Sequence, residues 1–344
     1  MATQKDVARL AGVSVSTVSR VLNDSSYVDK RTRKNVETAI KKLNYKPNLV
    51  AYGLRAKSSK LIGLILPELI HYAYASFAQY VEESCMKKGY TLLVGLHYND
   101  CGRERLLIDE FQRRNVDGLI MHLAINGQNM SNNLAECLTV PTVLYEDSFV
   151  NNHLGNVAFN NYRAGVMAAE YLLSLNHKNL ACTVGPMGMK YIRDRFWGFH
   201  DTLKANGIEL KRENIFECDF NYQVPNFSSG EDAVRFFIDG RGEKEIPTAI
   251  WAHNDNVAIG IIKELHRKKI QIPEEISVMG MDNTALTDMI YPPLTTVGQP
   301  LRQMAEQSVK IVIKEMKQKG NGQIEIVMME PELIVRESAG LCQK

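Results

Sequence analysis

In the run SVSTVSR, residues 14–20, four side chains could do chemistry together. A helix at about 3.6 residues per turn sets Val15, Ser16, Ser19 and Arg20 on one side and Val18, Val21 and Leu22 on the other. The first set offers a methyl-bearing side chain, two hydroxyls and a guanidinium. Laid in a major groove, these groups could meet a thymine methyl, any polar base edge and the paired acceptors of guanine, which makes Arg20 the natural guanine reader. Short amphipathic helices also occur in proteins that never touch DNA, so the elements that hold this one must decide.

Those elements are legible on either side. Val7, Leu10 and Ala11 in QKDVARLAG stand at helical spacing, and Gly12 ends the pattern at a tight turn. A second helix opens at once, with Ser14 as N-cap and Val13 placed to pack on Val18 as a staple. A third, through VDKRTRKNVETAIKKLNY, repeats Val36, Ala39, Ile40 and Leu43 and is expected to cover the other two. Two short helices joined by a glycine turn form a helix-turn-helix.

The formal net charge of the 344 residues is only +2, but its distribution is lopsided. Residues 1–60 hold 13 Lys or Arg against 4 Asp or Glu, and the remaining 284 hold 28 against 35. A basic run by itself fits a solvated face equally well. Combined with the turn chemistry, it points to a polyanion whose counterions are released on binding.

The stretch ATQKDVARLAGVSVSTVSRVLND resembles the amino-terminal signature of LacI/GalR family regulators, and the likeness continues through TRKNVETAIKKLNYKPNLVAYGLRAKSSKLIGLILP. The resemblance implies that Val15, Ser16 and Arg20 read bases, with Lys5, Ser14, Ser19 and Asn23 as phosphate or supporting contacts. It also implies a hinge in residues 47–57, where Leu49, Val50, Ala51 and Leu54 form a short apolar cluster. So short a helix is marginal in water until something packs on it. In the family two hinges pair in the minor groove and a leucine from each wedges between base steps; here that leucine is Leu54, with Arg55 beside it. Gly53 weakens the hinge helix by about 1 kcal/mol relative to alanine. The expected partners are double-stranded operator DNA and a second copy of the chain, so that two recognition helices read a palindrome. No leucine heptads follow ELIVRESAG, so a tetramer is not expected.

From Leu61 onward, apolar runs alternate with amphipathic stretches. LIGLILP, TLLVGL, DGLIMHL, PTVLYED, LACTVGP, TAIWAHND and ISVMGMDN read as strands, and the alternation predicts parallel sheets covered by helices on both faces. The fold class is therefore a small all-α helix-turn-helix headpiece plus an α/β core of two doubly wound parallel-sheet lobes, which the resemblance makes periplasmic-binding-protein-like. The expected division is 1–46 headpiece, 47–60 hinge and linker, and 61–344 core. Within the core, lobe 1 takes about 61–160 and 291–320, lobe 2 about 161–290 and 321–340, with crossings near Asn160, Tyr291 and Gly320.

Open parallel sheets bind ligands beyond the carboxyl ends of their strands. Arg195, Phe220, Asn254, Asp282 and Gln299 follow or adjoin such ends and together offer a guanidinium, an aromatic face, amides and a carboxylate, the equipment for a polyhydroxylated ligand. By resemblance, Arg195, Asn254 and Asp282 line an effector pocket, Tyr74 sits at a frequently aromatic position and Asn160 lies on a crossing. Strand-end Asp and Asn residues also cap helices, and that structural role is the one expected of Asp255.

An enzyme is not expected: there is no P-loop, no G-x-S-x-G and no histidine pair at metal spacing, so no catalytic residue, cofactor or metal is assigned. The six cysteines are scattered, as in a reduced cytoplasmic protein, and residues 2–12 lack the continuous apolar stretch of a secretory leader. No run is long enough to span a membrane. The expected effector is a carbohydrate. Control by a partner protein such as a phosphocarrier, or by a non-sugar corepressor, stays open at this stage.

Overall fold

A computed structural model describes residues 2–22, 27–46, 58–124, 137–146, 154–219, 226–242, 245–318 and 324–343. The chain divides into two compact units, Met1–Ser59 and Lys60–Lys344.

In the first unit α1 (Gln4–Ala11), α2 (Val15–Leu22) and α3 (Lys30–Lys42) enclose a small core of Val7, Ala8, Val18, Val21, Val36 and Ala39. Val13, Leu22, Ile40 and Leu43 pack at its margin, as their spacing predicted. Leu10 does not: it is 50% exposed, and Ala8 is buried in its stead, because the buried face of so short a helix is set by Val7 and its immediate neighbour. Gly12 closes α1 at φ +67°, a backbone state that costs a β-carbon-bearing residue, and so allows α2 to start three residues later.

The second unit holds two six-stranded sheets. The first comprises β1 (Leu61–Leu66), β2 (Thr91–Leu96), β3 (Gly118–Met121), β4 (Thr142–Tyr145), β5 (Gly155–Phe159) and β11 (Ile326–Met329), in the order β11-β5-β4-β3-β1-β2 and parallel throughout. The second comprises β6 (Leu180–Val184), β7 (Ile215–Glu217), β8 (Ala249–Trp251), β9 (Ser277–Asp282), β10 (Thr295–Gly298) and β12 (Glu332–Ile334), ordered β12-β10-β9-β8-β6-β7. Its edge strand β12 runs antiparallel to β10, a departure from the all-parallel expectation. The central strands are buried along their length, which is why they read as unbroken apolar runs rather than alternating ones.

Helices cover both faces. On the first sheet these are α4 (Tyr72–Lys87), α5 (Cys101–Arg113) and α10 (Leu301–Gln318); on the second, α6 (Asn161–Ser174), α7 (Lys190–Ala205), α8 (Phe227–Ile238) and α9 (Asp255–Arg267). One buried cluster includes Leu64 and Ile120 of the first sheet and Trp251 and Met279 of the second.

Among the described residues the chain passes between the sheets three times: at Asn160, between β10 and α10 at residues 299–300, and between β11 and β12 at residues 330–331. The second and third passages differ from those expected at Tyr291 and Gly320. β10 belongs to the second sheet and β11 to the first, and neither short strand was read from the sequence. The first and third passages are tied, Asn160 donating its backbone N–H to Met329 O at 2.9 Å and its side-chain amide to the Glu330 carboxylate at 3.0 and 3.1 Å.

Candidate functional site

The headpiece fixes a reading face. Thr3 and Asp6 cap α1 reciprocally, Thr3 accepting from Asp6 N at 3.3 Å and Asp6 accepting from Thr3 N at 2.9 Å. Ser14 Oγ accepts from Thr17 N at 3.1 Å and thereby starts α2. It also shares hydrogen bonds with Ser16 Oγ and Thr17 Oγ1, at 2.7 and 2.9 Å. With Val18 and Val21 buried, Val15, Ser16 and Arg20 stand exposed and Ser19 half-buried; Lys5 and Ser14 are exposed as well. Asp29 caps α3 through Arg31 N and Thr32 N, each at 3.0 Å. Asn23, Leu54 and Arg55 lie outside the described residues.

The second candidate site gathers at the carboxyl ends of the core strands. Arg195 of α7 is 4% exposed. Its Nε and Nη2 donate to Asn161 Oδ1 at 3.2 and 2.8 Å, and its Nη1 donates to the carbonyl of His253 at 2.5 Å. Asn161 in turn donates to Phe159 O at 3.2 Å and to Glu146 Oε1 at 3.5 Å, so the guanidinium connects the ends of β4, β5 and β8. The place of Arg195 follows from a close helix crossing. A β-carbon added to Gly198 would fall 2.0 Å from Tyr162 O, a distance that only bare glycine backbone permits between α6 and α7.

Asp282 ends β9 at φ +114°, where an L-residue persists only if its surroundings hold it. Its Oδ1 accepts from Gln299 Nε2 at 2.8 Å, and its Oδ2 lies 3.7 Å from Nε2 of His71, which precedes α4 on the other sheet. His71 is held in turn by Glu68, whose carboxylate accepts from the backbone N–H groups of Ile70 and His71. Burial raises the Asp282 carboxyl above its ordinary range, against the opposing pull of His71 and Arg195. Glu146, also buried, is pushed up to about 7 by burial, with Arg195 opposing and Asp282 adding.

Aromatic rings complete the wall. The His122 ring lies 5.5 Å from Tyr74, 6.1 Å from Tyr145 and 5.9 Å from Tyr191 of α7, so groups from both sheets surround it.

Of the residues expected at a ligand, the structure brings Tyr74, Arg195, Asp282 and Gln299 into this cluster. Asn254 caps α9 through Val257 N at 2.9 Å and turns its amide to His253 Nε2 at 3.1 Å. Asn160 caps α6 through Arg163 N at 3.0 Å, and its amide is taken by Glu330. Phe220 lies outside the described residues. Asp255 has the structural role expected of it, accepting from Thr284 N and Thr296 Oγ1, each at 2.7 Å. Arg193, two residues before Arg195, donates to the carbonyls of Met187 and Gly188.

Sequence reasoning missed His71, His122, Glu146, Asn161 and Tyr191. His122 and Glu146 directly follow β3 and β4, so the strand-end rule used for the second half of the core would have found them in DGLIMHL and PTVLYED. Among the described residues no group of three or more His, Cys, Asp or Glu could hold a metal, and no helix is long and apolar enough to cross a membrane. The arrangement offers polar contacts and ring faces to a small molecule, with Arg195 occupied as a brace.

Comparisons with known proteins bear on both sites. Residues 3–48 match the family described as bacterial regulatory proteins, lacI family, and residues 169–339 match a periplasmic binding protein-like domain. The chain is 32% identical over 338 residues to the HTH-type transcriptional repressor PurR of Histophilus somni strain 2336, covering 98% of this chain and 99% of that one. It is 31% identical over 339 residues to the ribose operon repressor of Escherichia coli strain K12, covering 98% and 100%. Among solved structures it resembles the lac repressor dimer bound to operator and the anti-inducer ONPF, with a TM-score of 0.86, 27% identity and coverage of 98% and 99%.

Proposed function

Because this chain belongs to the lacI family of bacterial regulatory proteins, DNA-binding repressors rather than enzymes, we propose that it represses transcription as a homodimer on a palindromic operator. We infer further that a sugar or sugar derivative between its two sheets sets that grip, and that it acts in the cytoplasm. In this reading Val15, Ser16 and Arg20 read bases, while Lys5, Ser14, Ser19 and Asn23 contact phosphates or support the readers. Leu54 wedges between base steps beside Arg55, at the junction between headpiece and core. Tyr74, Arg195, Asp282 and Gln299 line the effector site, joined by Phe220 and at its edge by Asn160 and Asn254.

The observation that carries the effector reading is the approach of Asp282 to His71. One carboxylate oxygen at the end of the second sheet faces a side chain of the first at 3.7 Å, so an occupant that contacts Asp282 also changes how the sheets meet. Closure around a ligand can then be passed on to a paired headpiece, and by linkage the operator changes effector affinity by the same factor. Two names support this reading: one relative is a ribose operon repressor, and the lac repressor was solved as a dimer bound to operator and an anti-inducer; the name PurR, which another relative carries, names no sugar.

The test is fluorescence anisotropy of the purified full-length protein on duplexes recovered by genomic footprinting, at moderate ionic strength and with a panel of free sugars. A preference for palindromic duplex over random competitor, altered by at least one sugar, is expected. Equal affinity for all duplexes overturns the operator reading, and sugar-independent binding overturns the effector reading.

A further inference from the structure

The effector reading makes Asp282 a ligand contact, and this step rests on that reading. Asp282 holds its carboxylate toward His71 and Gln299 from a backbone at φ +114°, and the next residue, Asn283, is left-handed too, at φ +58°. Two such residues in succession keep their place only where something beyond the strand holds them. Asp255 fixes Thr284 through its backbone N–H. Asn283 is fixed by a guanidinium.

That guanidinium belongs to Arg336, two residues beyond β12, and it lies against the excursion that joins β9 to β10, residues 283–294. It holds the excursion at three points. Nη2 donates to Asn283 Oδ1 at 2.9 Å at the start, Nε to Asp288 Oδ1 at 2.5 Å where the short 3-10 turn Ala285–Asp288 ends, and Nη1 to the carbonyl of Leu294 at 2.8 Å at the finish. The arginine is itself anchored. Its backbone N–H donates to Thr295 Oγ1 at 2.9 Å, and the N–H groups of Glu337 and Ser338 donate to Pro293 O at 3.1 and 3.0 Å. Three acceptors in three directions suit a planar fork and not an ammonium.

Exposure decides what this fastening does. Asn283 is exposed and the Asp288 side chain is 70% exposed, so water can replace the guanidinium at either without leaving a buried group unmet. The contrast with Asp255, whose partners at Thr284 and Thr296 are buried, is direct. Through these two contacts Arg336 adds little to stability and much to direction, because it pins the residue that follows Asp282. The strand that delivers Arg336 begins just after the third passage between the sheets, where Glu330 holds Asn160 of the first passage. A change in how the sheets meet at the passages thus reaches Asn283 through one short strand and one side chain.

We propose that Arg336 is a positioning residue for effector recognition: through Asn283 it aims the Asp282 carboxylate at the first sheet, without touching the effector itself.

Asn283→Gly tests this, since glycine accepts φ +58° and the change removes only the acceptor that Arg336 holds there. Asn283→Asp keeps an acceptor oxygen at the same reach, and Arg336→Lys replaces the three-point fork by one ammonium. The measurements are calorimetry of the full-length proteins with D-ribose, D-galactose and D-fructose, urea unfolding, and crystal structures of ligand-free wild type and Asn283→Gly. Affinity for a sugar that the wild type binds is expected to fall about fivefold or more in Asn283→Gly and Arg336→Lys, and to return to within about twofold of wild type in Asn283→Asp. The unfolding midpoint of Asn283→Gly should stay close to that of wild type, and Asp282 Oδ2 should stand farther from His71 Nε2 in its crystal structure. If Arg336→Lys does not fold, the two Asn283 variants decide. Wild-type affinity in Asn283→Gly, equal losses in Asn283→Gly and Asn283→Asp, or a loss that only follows lowered stability overturns this inference and leaves the sugar reading standing. If no sugar binds the wild type, the sugar reading falls and the crystal structures decide alone: an unmoved Asp282 overturns the role of Arg336, and a displaced one supports it.

Discussion

Gly165 and Arg195 meet through their backbones: a β-carbon on Gly165 would stand 2.0 Å from the Arg195 carbonyl oxygen and 2.7 Å from Phe199 N. The obstruction is main chain on both counts, so no rotamer change relieves it. Gly165→Ala is expected to push α6 from α7, to lower stability by about 1 to 3 kcal/mol, and to weaken effector binding by displacing Arg195 from Asn161. Urea unfolding and calorimetry on the same preparation check both effects; unchanged stability would mean that the helices separate freely.

Two neighbouring aspartates are expected to behave in opposite ways. Asp255→Ala strands the buried Thr284 N–H and the Thr296 hydroxyl, so a loss of about 1 to 3 kcal/mol for each is expected. Asp282→Gly removes one hydrogen bond, to Gln299, but also relaxes a backbone at φ +114°. Its stability should equal or exceed wild type, while operator binding becomes insensitive to effector. Denaturation midpoints paired with anisotropy titrations separate the two, and a destabilised Asp282→Gly would make Asp282 a structural residue like Asp255.

The contrast marks what is legible in the amino-acid sequence and what is not. The recognition helix was legible because burying Val18, Val21 and Val36 in a small three-helix unit leaves Val15, Ser16 and Arg20 of α2 to face out. The long central strands were legible because burial on both faces makes them continuously apolar. β5, β7, β10, β11 and β12 were missed, being short and taking their identity from neighbours across the sheet, and with them went the positions of two crossings. Among site residues, Asp282 and Arg195 advertise themselves by charge near strand ends. His122 does not: its place among Tyr74, Tyr145 and Tyr191 is a fact of geometry rather than composition.

Buried rings and buried carboxyls are expected to pull the pH dependence of the core's stability in opposite directions. Burial pushes His97 down to about 4, and His122 and His253 to about 3, from an ordinary 6.5. At these rings the folded state thus binds fewer protons than the unfolded chain below pH 6.5. The stability these rings contribute is complete above that value and is lost progressively toward pH 3 to 4, by roughly 2 kcal/mol for each ring at pH 5. Glu146 opposes them: held near 7, it contributes stability that is complete below about 4.5 and is lost as the pH rises to 7. Asp255, pushed up to about 8, and Glu315, to about 6, oppose the rings in the same sense, so the rings show in a difference: between pH 6.5 and 5 a His97→Asn variant should lose less stability, or gain more, than wild type by roughly 2 kcal/mol. Equal changes in the two proteins would mean that the ring is solvated.

Arg20 stands exposed on α2 beside Val15 and Ser16, whereas Lys5 is exposed on α1, and the two should fail differently. A guanidinium that spans the two acceptors of one guanine is lost at one base pair. Arg20→Ala is accordingly expected to cost about 1 to 3 kcal/mol on the preferred operator and little on a duplex altered at that position, with selectivity relaxed there. A phosphate contact carries no sequence information, so Lys5→Ala should weaken all duplexes alike and reduce the salt slope of log affinity by about 1. Anisotropy titrations over a salt series, on the operator and its single-base variants, distinguish these patterns. If Arg20→Ala weakens every duplex equally and lowers the salt slope, then Arg20 grips the backbone, and base readout falls to Val15 and Ser16 without it.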